Sequence, residues 1–144
     1  MPIPPPRVGA VIRYGYIWHH EHRRGTEEGK ERPAAIVLTY TTEVGGEIRV
    51  VVLPITHRKP SKQDPAIKIP AGVKRRLGLD SEHSWIICDE ANESEWPGHD
   101  LRPIPGRKTL TWEYGMLGSD LFERVRKLFI ETVKAKRLKH VARI

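Results

Sequence analysis

Apolar and β-branched residues fall in short runs along this chain, with helical spacing in only one place. Val8 to Trp18 alternates in part, through Val11, then Tyr14 or Tyr16, then Trp18, which predicts a half-buried first strand. His19 to Glu31 holds three histidines, two arginines, two glycines and four glutamates with no apolar period. That pattern predicts a long, solvated, mobile loop. Ala34 to Tyr40 and Glu47 to Thr56 are apolar runs separated by Glu43-Val-Gly-Gly46, the pattern of two strands joined by a tight reversal. Pro54 has no amide proton, so the ladder is expected to end or bulge there and to aim Ile55, Thr56 and His57 away from the sheet.

Farther along, Ala66 to Ile69 predicts a short strand. Pro70 to Leu77 predicts a small basic helical turn, opened by its proline and closed by Gly78. Ser84 to Asp89 predicts a buried strand, and Trp96-Pro97-Gly98 a break after it. Leu121, Phe122, Val125, Leu128, Phe129 and Val133 recur at helical spacing behind Ser119, the expected N-cap. One face of that helix should pack on the sheet. The other carries Arg124, Arg126, Lys127, Lys134, Lys136 and Arg137, which is the pattern of a solvated face as well as of a nucleic-acid contact.

The opening Met1 to Pro6 favours an extended polyproline form, so residues 1–7 are expected to be a flexible tail and residues 8–144 a single domain. A chain of 144 residues is near the size of one domain. Its apolar runs are too short for a bilayer, and a cytoplasmic location is expected. A single cysteine, Cys88, excludes an internal disulfide, and the run Trp85-Ile-Ile-Cys88 predicts a buried thiol. Lys and Arg number 25 against 18 acids, a formal charge of +7, which favours a polyanionic partner.

Three stretches carry a family likeness: Arg32-Pro-Ala-Ala-Ile-Val-Leu38, Leu53-Pro-Ile-Thr-His57 and Ser84-Trp-Ile-Ile-Cys-Asp-Glu90. In their order and spacing they resemble the MazF/PemK toxins, in particular a longer PemK-like subgroup. The resemblance covers most of Val8 to Trp96. It implies an SH3-like barrel, mainly β, with a C-terminal helix, and a homodimer. It further implies metal-independent cleavage of single-stranded RNA such as mRNA, and a cognate antitoxin as partner. The catalytic pair of that family falls here on Arg32 and Thr56. The histidine-rich loop, the basic turn at Pro70 to Leu79 and the long C-terminal extension depart from the shorter members.

Metal-free RNA cleavage uses the ribose 2′-hydroxyl as internal nucleophile. The enzyme must then neutralise charge on the phosphate oxygens, which suits a permanently charged guanidinium such as Arg32. The Thr56 hydroxyl suits orientation of the phosphate. Proton transfer needs a group titrating near neutrality, and His57 is the best-placed histidine, with His19, His20 and His22 as alternatives if their loop folds over RNA. Candidate RNA contacts are Trp18, Arg23, Arg24, Lys30, Arg58 and Lys59, with Tyr14, Tyr16 and Trp112 as further stacking surfaces. Asp89 and Glu90 are adjacent on a strand, so at most one faces the groove. No cofactor or metal is expected, because the His19-His-Glu-His22 run lacks fixed ligand spacing. Binding without cleavage, by an RNA or protein module of the same fold, is the alternative. Inhibition of a gyrase-like enzyme through protein contacts, needing neither Arg32 nor Thr56, is a third class.

Overall fold

The computed structural model describes residues 3–143; Met1 and Pro2 of the expected tail, and Ile144 of the expected domain, lie outside the described residues. The elements run β1 Ala10–Tyr16, α1 His19–Arg23, β2 Lys30–Thr41, β3 Ile48–Thr56, β4 Ala66–Lys68, α2 Ala71–Leu77, β5 Trp85–Ile87, β6 Glu90–Trp96, β7 Glu113–Met116, α3 Ser119–Lys134 and β8 Lys139–Ala142. The fold is mainly β, with one eight-stranded sheet and a helix near the C-terminus. Pairing runs in the order β4-β5-β3-β2-β1-β7, with β6 on β3 and β8 on β6. All pairs are antiparallel except β6 with β8. Among the described residues no pairing joins β4 to β7, so the sheet is open. No helix is long and apolar enough to cross a membrane.

Successive residues of a strand point to opposite faces, and here both faces are covered, which is why the runs through the middle of β2 and β3 are nearly all apolar. Ala35, Val37, Val51, Leu53 and Ile55 join a core with Leu77 of α2 and Leu121, Val125 and Phe129 of α3. Ala34, Ile36, Val50 and Val52 join the other, with Ala10, Ile12, Tyr14 and Tyr16 of β1 and part-buried Trp18, Trp96 and Trp112. Burial of each large side chain in these layers stabilises the fold by roughly 1.5–3 kcal/mol.

The β2–β3 ladder does end at Pro54, whose partner is Ala34. The chain stays extended beyond it and changes partner, pairing Ile55 with Ile86 and Thr56 with Trp85 of β5. Gly78 closes α2 in the left-handed region at φ 71°. In α3 the N-cap is Gly118 and Ser119 is the first helical residue; Val133 is 46% exposed, off the packed face.

Two sequence expectations are corrected. The segment after Trp18 is not an open loop, because His19–Arg23 forms a helical turn with the Glu21 carboxylate accepting from the Trp18 amide at 3.1 Å. The chain behind it is also anchored: a side-chain carbon at Gly29 would run into the Gly15 carbonyl, so β2 can start only where the residue has none. Nor are Ile55 and Thr56 aimed away from the sheet, since both pair with β5. In the described part of the proline segment the Trp96 indole donates to the Pro4 carbonyl at 2.9 Å.

Candidate functional site

The register Ala34↔Pro54 and Ala35↔Leu53, continued by two residues, sets Arg32 opposite Thr56 on one face of the sheet. There β3 has already turned toward β5, so the two strand ends part and leave a cleft of about 430 Å³. Arg32 and Lys30 line it from β2, Arg13 from β1, Thr56 and His57 from the end of β3, and Lys74 and Asp80 from α2 and the turn after it. Four Lys or Arg side chains against two acids, Glu31 and Asp80, line it, so the cleft favours an anion.

Arg32 lies over the Trp18 ring, its guanidinium carbon 5.2 Å from the centroid. Its Nε is, among the described residues, the one buried side-chain nitrogen or oxygen with no hydrogen-bond partner. Burial pulls this guanidinium below its usual proton affinity, against the opposing pull of Glu21, Tyr16 and Glu90. A buried charged donor without a partner is costly. Behind Arg32, Glu90 accepts from the His19 amide at 3.0 Å and from the Tyr16 hydroxyl at 3.2 Å. Burial pushes the Glu90 carboxyl above its ordinary value. Asp89 is held elsewhere, 3.9 Å from the Lys139 ammonium.

At the other wall, the Thr56 hydroxyl oxygen accepts from the Arg58 amide at 3.1 Å, which fixes its rotamer and leaves its proton free to donate outward. His57 Nε2 sits 2.8 Å from Asp80 Oδ2, and Nδ1 lies 3.6 Å from Glu82 Oε2. With the Nε2 proton given to Asp80, a neutral His57 keeps a lone pair on Nδ1. Asp80 is itself oriented by the Lys74 ammonium, 2.7 Å from its other oxygen. Lys74 is only 5% exposed and also donates to Ser84 Oγ at 2.7 Å and to the Glu82 carbonyl. Burial would raise the Asp80 carboxyl, but Lys74, the Glu82 amide and His57 together hold it below the usual carboxylate range.

Of the residues named from sequence, Arg32, Thr56, His57 and Lys30 thus share one cleft, with Trp18 backing Arg32. Arg23 and Arg24 are exposed at the end of α1, and Arg58 and Lys59 are exposed in the turn after β3; none of these four lines the cleft. Nor do His19, His20 and His22. Tyr14 and Tyr16 are core residues, 2% and 0% exposed, with Tyr14 donating to Ser94 Oγ at 2.7 Å, so neither offers a ring face to a base. Trp112 lines a different hollow. Cys88 is fully buried and its thiol is pushed up to about 12, as its apolar setting predicts. Sequence reasoning missed Lys74, Asp80 and Arg13. Lys74 sits in a basic turn whose charges look uniformly solvated, and nothing in the spacing distinguishes it from Arg75 or Arg76.

His57, Asp80 and Glu82 are also the one group among the described residues whose donor atoms, all within 4.8 Å of one another, converge enough to hold a cation. Lys74 already neutralises Asp80, and all three side chains are at least 49% exposed, so the group lacks the enclosed, oriented shell of a structural metal centre.

No family model matches the chain, and no curated protein matches it.

Proposed function

We propose that this protein is a sequence-selective, metal-independent endoribonuclease of MazF/PemK type, the toxin half of a toxin–antitoxin pair, built on an SH3-like barrel. The observation that carries the reading is the meeting of Arg32, Thr56 and His57 in one cationic cleft, with the Arg32 Nε unpartnered. In this reading Arg32 pairs with a nonbridging oxygen of the scissile phosphate and stabilises the charge that builds there. Thr56 donates its hydroxyl proton to the same phosphate and holds it in line. His57 Nδ1 takes the proton of the 2′-hydroxyl, while Asp80 stabilises the imidazolium that forms through Nε2. The products are a cyclic phosphate and a 5′-hydroxyl end.

A second reading, binding without cleavage, draws on the same cleft: the Arg32–Trp18 stack resembles a surface for a base as well as for a phosphate. Incubation with a long single-stranded RNA in EDTA separates the two. Cuts at a short recurring sequence, with 5′-hydroxyl ends, lost in Arg32→Ala and Thr56→Ala, are expected. Intact RNA with salt-sensitive binding would replace the nuclease reading with the second one.

A further inference from the structure

The segment before β1 cannot join the sheet, because Pro4, Pro5 and Pro6 have no amide protons to give a ladder. It is held by other chemistry. Ile3 packs beside Trp96 and Trp112 on the Ile12–Ile36 face of the sheet. The Trp96 indole donates to the Pro4 carbonyl at 2.9 Å. Arg7 then closes the row on Glu113, with Nη2 at 2.6 Å and Nε at 3.1 Å from the same carboxylate oxygen. Apolar and aromatic walls, an indole donor aimed at a prolyl carbonyl, and an acid for a following arginine are together how an extended proline-rich peptide is recognised.

The fit is loose. A cavity of about 170 Å³ remains between the segment and the groove, Pro4 and Pro5 are exposed, and the Arg7 side chain is 58% exposed, so its ion pair contributes little. We infer that this groove is a recognition site for a proline-rich segment ending in arginine, presented by a partner protein, and that residues 3–7 are its built-in competitor. A second copy of this chain is the poorer occupant. Reciprocal exchange would only recreate the present contacts and leave the same cavity unfilled. A longer partner segment keeps those contacts and fills the cavity too. The groove shares no lining residue with the Arg32 cleft, so the inference stands apart from the nuclease reading.

Occupancy in cis acts as a high local concentration of competitor, so the full chain should bind such a peptide weakly until its own segment is weakened. The test uses the full chain and a variant carrying Pro4→Gly, Pro5→Gly and Pro6→Gly, each confirmed as folded by circular dichroism. The probe is a synthetic Pro-Ile-Pro-Pro-Pro-Arg-Val peptide, followed at the Trp96 indole NMR signal. The variant is expected to bind about tenfold more tightly than the parent, with the Trp96 signal moving in both. Trp96→Phe in the variant should weaken binding about tenfold, and alanine in place of the peptide's arginine should weaken it a few-fold. A folded variant that shows no binding at millimolar peptide, or binding indifferent to Trp96→Phe, overturns the proposal. A parent that is dimeric by light scattering, with the peptide dissociating the dimer, assigns the groove to a second copy and overturns it as well.

Discussion

Two buried cations, Lys74 and Arg143, look alike by exposure, at 5% and 7%, and each holds a carboxylate at 2.7 Å. Their surroundings differ. Arg143 meets Asp100, whose side chain is 4% exposed, and also donates to the Gly15 and Glu27 carbonyls and to Asn92 Oδ1. It therefore ties β1, the chain before β2, β6 and the chain end into one closed node. Lys74 meets Asp80, whose side chain is 49% exposed and whose second oxygen reaches His57. Burial of a charge alone does not distinguish structure from chemistry. What distinguishes them is how far the partner is enclosed: the Asp100 side chain is 4% exposed, whereas Asp80 is 49% exposed and turns its second oxygen to His57 at the open cleft.

The largest effect expected from this contrast is on stability at the closed node. Arg143→Ala leaves Asp100 charged and enclosed, and breaking such a pair costs about 3–5 kcal/mol. For a chain of this size that lowers the melting temperature by on the order of 10 °C. Urea unfolding measures it, and a loss below about 1 kcal/mol would remove the node from the comparison. On the proposed nuclease reading, RNA cleavage per folded molecule should stay at the parental rate. The converse substitution, Arg32→Ala, should lower cleavage about 10²–10³-fold. It should leave stability within about 1 kcal/mol, because the lost side chain carries an unsatisfied donor. A variant that cuts at the parental rate would take Arg32 out of the chemistry.

Lys74→Met falls between the two. It puts an apolar chain of similar reach where the ammonium was, and the carboxylate left behind, being half-exposed, can turn to water. The cost should be about 1–2 kcal/mol, chiefly from Ser84 and the Glu82 carbonyl losing a donor. A loss as large as that of Arg143→Ala would show that Asp80 is as enclosed as Asp100.

Much of this was legible in the chain. The Ala34–Thr56 hairpin, α2 and α3 follow from apolar runs and their glycine and proline punctuation, and the placement of Arg32 across from Thr56 follows from the hairpin register. The strands that pattern does not reveal are β6, whose buried positions Glu90, Asn92 and Ser94 are polar, and two with little to bury. In β8 only Val141 is buried, and the element follows a Lys/Arg run that reads as solvated helix. In β7 every residue is half-buried. The candidate site divides the same way. Arg32 and Thr56 stand in recognisable motifs, whereas Lys74, Asp80 and the Arg143–Asp100 node are joined only by tertiary contact, across separations of 6 to 43 residues that no local pattern encodes.

The smallest effect is the most direct probe of the open end. Asp80 is held below the usual carboxylate value against its burial, by Lys74, the Glu82 amide and His57. A carboxyl whose folded pKa is depressed binds fewer protons in the folded chain than in the unfolded one. Its contribution is therefore present above the ordinary carboxylate pKa and is lost as pH falls through the folded value, below about pH 4. Half-exposure and solvent screening hold that contribution under about 1 kcal/mol. Asp80→Asn removes it. The stability difference between parent and variant, followed by urea unfolding from roughly pH 6 to 3, should therefore shrink toward the acid end, and Glu93 and Asp64, depressed in both proteins, cancel from it. A difference that stays constant with pH would mean that the Lys74–Asp80–His57 chain is not formed in solution. His57 would then have no fixed partner for Nε2, and the open cleft would lose the feature that sets it apart from the closed node.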